Sequence, residues 1–405
     1  MPRRLADNLT NFIHAMTLTL QKLISQSVDH IDTPALVIDL DAMERNLAKM
    51  VRFAREHHIR WRPHAKLHKS AELALLQIQA GAVGVCVQKT AEAEAMVAGG
   101  VCDVYISNEV ISLSKLERIA NMTLALEAKN GKLAIAVDSL IGVRRLASVL
   151  TAAINTTTSP VRPLIDVFVE IDVGQGRCGV APGQAALDLA QEIVRHRCLH
   201  FAGIQAYHGR AQHLRSPAER QQAIGQAVIH ARNTRRNIEA AGIRVGLVTG
   251  AGTGTFALET ASGVYGELQA GSFLFMDADY TANQPDLTAP APTFEHALFV
   301  KSQVISTHAT HAVCDAGHKS HAVDSGLPLV AGLNLDFDNG GDEHGILRPH
   351  TPGTALPALG DTVWLIPGHC DPTVNLHDFM VGVRGGLAQG TVERIIRVDA
   401  RGALT

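Results

Sequence analysis

The chain has 405 residues, 46% of them hydrophobic and 19% charged, with a formal net charge of -3. That length exceeds one compact core of ordinary size and points to two domains, and the near-neutral charge gives no electrostatic case for nucleic acid or an anionic membrane as partner. Six cysteines without C-x-x-C spacing argue against a zinc ribbon or a disulfide scaffold and fit a reducing compartment.

Leu5, Leu9, Phe12, Ile13, Met16 and Leu20 are spaced like one face of a helix, so residues 1–30 read as an N-terminal helical extension. His14, Gln21 and Lys22 interrupt the apolar run, which speaks against a secretory signal. No segment reaches the roughly 18 to 20 apolar residues that a membrane span needs. A cytoplasmic enzyme is the expectation.

Residues 31–285 alternate short β-branched runs with helical patterns. Strands are expected at Leu36–Asp39, Ile59–Pro63, Val83–Val87, Val101–Ile106, Leu133–Val137, Ile165–Ile171, Phe201–Gln205, Val245–Val248 and Glu267–Ala270. Helices are expected at Leu40–Glu56, Ser70–Ala80, Ala91–Ala98, Arg144–Ala153, Ala185–Arg195 and Pro217–Ala241. Alternation of this kind builds a parallel sheet, and about eight units over some 250 residues predict a (β/α)8 barrel. An open doubly wound sheet stays possible, because periodicity does not show closure.

Residues 286–405 have another texture. After the prolines at 285, 290 and 292 come the runs Leu298–Ile305, Ala312–Asp315, Thr362–Ile366, Phe379–Val383 and Gly390–Val398, with few helical patterns between them. They predict a mostly antiparallel β domain.

A barrel places functional groups just after its strands, at the C-terminal face. Lys66 ends the run Arg62-Pro63-His64-Ala65-Lys66, and a lysine at the end of a buried strand is costly unless neutralised or used covalently. A Schiff-base lysine fits there; a surface lysine beside Lys69 is the bland alternative. Gly250-Ala251-Gly252-Thr253-Gly254 and Gly271-Ser272 follow the last two strands, where backbone amides can cradle a phosphate. Arg177 sits between glycines after Ile165–Ile171. Tyr207, His208 and His213 follow Phe201–Gln205, and histidine is the usual base near neutral pH. In the C-terminal domain, His369 and Asp371 at i, i+2 would face one side of an extended segment and could hold a Mg- or Mn-like ion with room for water and substrate. Cys370 would then face away and serve packing.

Taken in order, several stretches resemble a known family. They are DTPALVIDLDAMERN (from Asp32), RPHAKLHKS (from Arg62), GVCVQKTAEAE (from Gly84), ISNEV (from Ile106), VGQGRCGV (from Val173), GIQAYHG (from Gly203), GTGT (from Gly252), ELQAGSFLFMDADY (from Glu267), VDSGLP (from Val323), DEHG (from Asp342) and PGHCDPTVNLHD (from Pro367). The chain resembles the metal-activated D-threonine aldolases and 3-hydroxy-D-aspartate aldolases, relatives of D-serine dehydratase and alanine racemase. The resemblance implies a fold type III enzyme of pyridoxal 5'-phosphate (PLP), with an alanine racemase-like barrel, a β domain carrying the metal site, and a homodimeric assembly.

By the same resemblance Lys66 carries PLP, Gln88 lies near its ring, Arg177 opposes the pyridine nitrogen and Tyr207 lines the cofactor wall. Thr253, Gly254, Gly271 and Ser272 would hold the phosphate, His213 would be the base, and His369 with Asp371 would bind Mn or Mg. Ala251 departs from the family, which often has glycine there. The implied reaction is retro-aldol cleavage of a D-3-hydroxy amino acid, D-threonine foremost, with 3-hydroxy-D-aspartate as the alternative substrate. Dehydration of D-serine or 3-hydroxyaspartate is the competing chemistry. The dehydratase relatives tend to have cysteine at the position of Asp371, and an oxygen donor there favours harder ions and tilts the reading to the aldolase. Racemisation or a non-catalytic PLP carrier would need no metal pair.

Overall fold

The computed structural model describes residues 20–155, 165–286 and 291–405. The expected apolar face of the N-terminal extension, apart from Leu20, lies outside the described residues. Within them no helix is long and apolar enough to cross a membrane.

The first strand, β1 (Ala35–Asp39), leads directly into helix α1 (Leu40–Glu56). Beyond α1 eight parallel strands follow: β2 (Arg60–Trp61), β3 (Val85–Val87), β4 (Asp103–Ile106), β5 (Lys132–Val137), β6 (Ile165–Glu170), β7 (Leu199–Ala206), β8 (Leu247–Gly250) and β9 (Glu267–Leu268). Their order is β2-β9-β8-β7-β6-β5-β4-β3. The ring closes just past β2, where His64 forms a parallel bridge with Cys86. Ala65 N donates to Cys86 O at 2.8 Å and Cys86 N to Pro63 O at 2.9 Å. The helices between the strands are α2 (Ala71–Gln79), α3 (Thr90–Ala98), α4 (Leu113–Glu127), α5 (Leu140–Asn155), α6 (Gln184–Val194), α7 (Pro217–Ala240) and α8 (Phe256–Ala261).

Both faces of these strands are buried, which explains their nearly continuous apolar runs. Outward side chains such as Val104, Ile135, Val167 and Ile204 share one core with Met96, Ile119, Leu146, Leu189 and Ile224 of the helices. Inward positions hold a smaller cluster of Cys86, Tyr105, Ala134, Ala136 and Phe168. Polar side chains complete the interior. Tyr105 Oη donates to Gln205 Oε1 at 3.0 Å, and Gln269 Nε2 donates to Gln205 Oε1 and Thr249 Oγ1.

This barrel unit comprises Leu47–Phe273, Asp279–Thr293 and Asp399–Thr405. The other compact unit takes the described residues up to Asn46 together with Leu274–Ala278 and Phe294–Val398. It contains β10 (Leu298–Thr307), β11 (Ala312–Cys314), β12 (Leu329–Val330), β13 (Leu335–Asn339), β14 (Gly345–Pro349), β15 (Thr362–Ile366), β16 (Phe379–Arg384) and β17 (Thr391–Arg397). They join β1 in one nine-stranded sheet that is antiparallel except for the β1–β16 pair. Two short helices remain, α9 (Ala278–Thr281) and α10 (Cys370–Val374).

The expected strand Leu36–Asp39 therefore does not belong to the barrel. It pairs antiparallel with β10 and parallel with β16, some 260 and 340 residues away along the chain. An apolar run of five residues suits either sheet, and only the long-range partners choose between them. Helix α4 and strands β13 and β14 are further elements that the periodicity did not bring out.

A candidate active site on the rim of the barrel

Because the strands are parallel, every loop that follows one opens on the same rim. Lys66 follows β2, Gln88 follows β3, Arg177 follows β6, Tyr207 and His213 follow β7, Thr253 and Gly254 follow β8, and Gly271 and Ser272 follow β9. The expected site residues of the barrel unit thus share one end of it.

The turn carrying Lys66 is built rigidly. Before it, the buried Arg62 is held by Glu267 at 3.2 Å and by Asp103 at 2.5 Å. After it, His68 Nδ1 accepts from Ser70 N at 3.1 Å and His68 Nε2 lies 3.2 Å from Gln77 Oε1. Lys69 is accounted for structurally, since its Nζ is 3.0 Å from the buried Glu92. Lys66 itself is half-buried. Gln88 lies close to this turn, with its Nε2 2.9 Å from His64 Nε2, and Ser107 Oγ stands 3.2 Å from the same nitrogen.

Arg177 and Tyr207 come together, the guanidinium carbon lying 5.8 Å from the ring centroid. The Arg177 guanidinium lies 4.0 Å from a carboxylate oxygen of Glu170.

The two phosphate loops are tied to each other. Thr253 Oγ1 accepts from Phe273 N at 3.0 Å, one residue past Ser272. Both loops are packed so closely that side chains are excluded. A Cβ on Gly254 would lie 2.6 Å from Gln212 O, and one on Gly271 would lie 2.7 Å from His64 O. The Thr253 and Ser272 amides donate to no protein acceptor among the described residues, although both residues are nearly buried. Neighbouring amides left without protein acceptors can receive an anion, so the cradle fits the phosphate of PLP. Gly254 differs from expectation in one respect, for its amide is already taken by Gln212 Oε1 at 3.0 Å. Ala251 adopts φ +70°, a left-handed conformation that favours glycine.

His213 closes the short 3-10 turn Arg210–His213. Its Nδ1 is 2.5 Å from Asp279 Oδ2, and Arg215 binds the other oxygen of that carboxylate. The carboxylate fixes the Nδ1–H tautomer and leaves Nε2 as the nitrogen able to accept a proton. His208, by contrast, is nearly buried and its pKa is lowered by that burial.

The other unit presents its own constellation. Segment 369–371 is not extended as expected. His369 has extended dihedrals at the N-cap of α10, and Asp371 lies in the first turn of that helix. A helix is locally favoured there because Thr373 Oγ1 donates back to His369 O at 2.7 Å and Asp371 suits a helix N-terminus. Cys370 is a packing residue, fully buried, with burial pushing its thiol pKa well up. His369 Nδ1 lies 2.7 Å from Asp324 Oδ2, the carboxylate–histidine arrangement that leaves Nε2 for a metal. One nitrogen and one carboxylate, with other positions left for water and substrate, fit a divalent cation of the Mn or Mg kind.

Three positioning residues escaped the sequence reading: Asp279 behind His213, Asp324 behind His369, and Gln212 under the phosphate loop. Asp279 and Asp324 lie 66 and 45 residues from the histidines they hold. No spacing rule links them. Gln212 is adjacent to His213, yet only the fold shows that it faces Gly254.

Known proteins match most of the chain. Residues 38–279 match the family model described as "Alanine racemase, N-terminal domain", and residues 297–383 match "Putative serine dehydratase domain". The chain is 42% identical over 374 residues to a D-threonine aldolase of Arthrobacter sp, covering 92% of this chain and 93% of that one. The chain belongs to the D-threonine aldolase and 3-hydroxy-D-aspartate aldolase family. A 3-hydroxy-D-aspartate aldolase of Paracoccus denitrificans (strain Pd 1222) is 40% identical over 377 residues, 92% of each chain. The crystal structure of D-threonine aldolase from Filomicrobium marinum superposes with a TM-score of 0.88 at 42% identity, covering 94% of this chain and 99% of that one. Dehydratases are more distant relatives, with a D-threo-3-hydroxyaspartate dehydratase of Delftia sp. (strain HT23) 29% identical over 249 residues, 61% of this chain and 62% of that one. Membership places the chain among fold type III PLP enzymes and implies PLP as its cofactor.

Proposed function

We propose that this chain is a lyase that cleaves the Cα–Cβ bond of D-3-hydroxy amino acids, D-threonine to glycine and acetaldehyde foremost, with PLP and Mn or Mg as cofactors. His213 carries this reading. A retro-aldol cleavage needs a base for the β-hydroxyl proton, and His213 presents Nε2 for it on the rim that bears Lys66. The greater likeness to aldolases than to dehydratases supports the same chemistry.

PLP bound at Lys66 supplies a sink for the electron pair left on Cα when the bond breaks. A divalent cation at His369 and Asp371 supplies Lewis acidity that eases loss of the hydroxyl proton. Lys66 anchors the cofactor, and the amides of Thr253 and Ser272, with the two hydroxyls, hold its phosphate. Arg177 would face the pyridine nitrogen and keep it unprotonated, with Tyr207 against its guanidinium. Gln88 would lie beside the ring, held through His64 and Ser107. Asp279 holds His213 in the tautomer that accepts, and Asp324 does the same for His369. A cytoplasmic homodimer acting on small molecules, with no nucleic-acid or membrane partner, fits the resemblance and the charge.

The test is product analysis of the PLP-loaded protein with D-threonine, D-3-hydroxyaspartate and D-serine, with Mn and with EDTA. Glycine plus acetaldehyde or glyoxylate, lost with EDTA and restored by Mn, is expected and ranks the substrates. Ammonia plus a 2-oxo acid would replace the aldolase with a dehydratase.

A further inference from the structure

Lys69 lies shortly after Lys66 in the same turn, and the proposed reaction leaves it unused. Its charge is nonetheless buried: the side chain is 7% exposed, and its Glu92 partner at 3.0 Å is 5% exposed. Its backbone adopts φ +50°, a left-handed conformation that is costly for a residue with a side chain. Each polar group of Lys69 is engaged. The amide donates to Ala65 O at 2.7 Å, the carbonyl accepts from Ala400 N at 3.0 Å, and the ammonium also donates to Ala400 O at 3.2 Å.

Glu92 stands in the first turn of α3 and receives more than the ammonium. Its Oε2 accepts from Gln88 N at 2.9 Å and from Lys89 N at 3.1 Å. The loops after β2 and β3 are thus tied twice, by His64 to Gln88 ahead of Lys66 in sequence and by Lys69 to Glu92 behind it. Segment Asp399–Thr405 belongs to the same barrel unit and braces both helices that follow these loops. Asp399 Oδ2 accepts from Ala71 N, the first amide of α2, at 2.8 Å, and Thr405 O accepts from Ala91 N of α3 at 2.8 Å.

A buried ion pair adds little stability, because desolvation offsets the attraction and apolar residues of similar volume serve as well. A left-handed residue other than glycine persists where its surroundings over-determine it. Both features have a physical reason if they secure position instead of stability. We propose that Lys69 and Glu92, braced by segment Asp399–Thr405, are positioning residues that fix the Lys66 turn against the Gln88 loop and so set where Lys66 presents its amine to PLP. The inference rests on the reading that Lys66 carries the cofactor.

The PLP-loaded full chain is first reduced with borohydride and its lysine peptides are mapped. The label is expected on Lys66, and a label elsewhere overturns the inference together with the reading beneath it. The variant is Lys69→Met with Glu92→Gln, which keeps an acceptor for the Gln88 and Lys89 amides and removes one charge of each sign. Local net charge is then unchanged, so an altered cofactor titration reports moved geometry.

Two quantities are read on the loaded protein: the PLP dissociation constant by equilibrium dialysis, and the pH midpoint of the visible absorbance of bound PLP. The constant is expected to rise about ten-fold or more, and the midpoint to move by about half a unit or more. Asp399→Ala leaves the ion pair in place and loosens only the brace. It is expected to raise the constant about three-fold or more. With the label on Lys66, an unchanged constant and midpoint in the double variant overturn the inference alone, even if Tm falls. An unchanged constant in Asp399→Ala does the same.

Discussion

His213 Nδ1 donates to Asp279 Oδ2 at 2.5 Å, and Arg215 binds the second oxygen of the same carboxylate. Asp279 is nearly buried, whereas the His213 side chain is 45% exposed. A shielded carboxylate gripped on both oxygens gives the exposed imidazole one orientation and one tautomer. That is what a base needs if it acts from the end of a short 3-10 turn.

Asp279→Asn leaves one oxygen to serve two donors, so either His213 or Arg215 meets an amide N–H. General-base catalysis is worth about 10²–10⁴-fold, and a misaligned base forfeits part of it. The expected result is a kcat lower by about 10–100-fold, with KM changed less than about three-fold. An unchanged kcat would remove Asp279 from the catalytic arrangement.

Asp324 bears the same relation to His369, at 2.7 Å. Loss of such a partner weakens metal binding by about 10–100-fold. Calorimetric titration of Asp324→Ala with Mn should show that loss, and high Mn should restore most of the activity. Undiminished Mn affinity would make the Asp324–His369 pair merely structural.

The phosphate loop supports opposite expectations at two of its residues. A Cβ on Gly254 would stand 2.6 Å from Gln212 O and 3.3 Å from Asn283 Nδ2, so Gly254→Ala must displace backbone. Its PLP dissociation constant, measured by fluorescence titration, is expected to rise at least ~10-fold, whereas uniform burial losses would instead lower Tm alone. Ala251 at φ +70° bears about 1 kcal/mol of left-handed strain. Glycine there would relieve the strain but add about 0.4–1 kcal/mol of unfolded-state entropy. Ala251→Gly should therefore leave stability nearly unchanged in a thermal melt.

Glu259 gives a pH-dependent expectation. Its side chain is buried in α8, Thr255 Oγ1 donates to it at 2.8 Å, and burial pushes its pKa up to about 7. The folded chain then keeps a proton that the unfolded chain releases near the ordinary carboxylate value. Stability contributed by this group is present at low pH and is lost as pH rises from about 4.5 to about 7. Glu259→Gln should be more stable than the unsubstituted protein at pH 8, by about 3 kcal/mol at most, and should melt higher. The gap should close by pH 5. A gap independent of pH would mean that the carboxyl is not the titrating cause.

Much of the barrel was legible in the chain because its strands are buried on both faces and its helices are long. Runs such as Leu133–Val137 and the pattern Pro217–Ala241 leave little freedom about element type. Parallel order then puts every strand end on one rim, so Lys66, Arg177, Tyr207 and Thr253 follow from the chain as neighbours on it, while Gln88 entered only through the resemblance. The resemblance added their roles, which periodicity alone does not carry. Tertiary structure decided what depends on distant partners. β1 joins β10 and β16 because backbone pairing over hundreds of residues leaves no local trace, and the five residues of β1 would suit either sheet. Asp279 and Asp324 became positioning groups in the same way. Short-range periodicity records which face of an element is buried; which side chains then meet is set by chain closure, and only the fold supplies that.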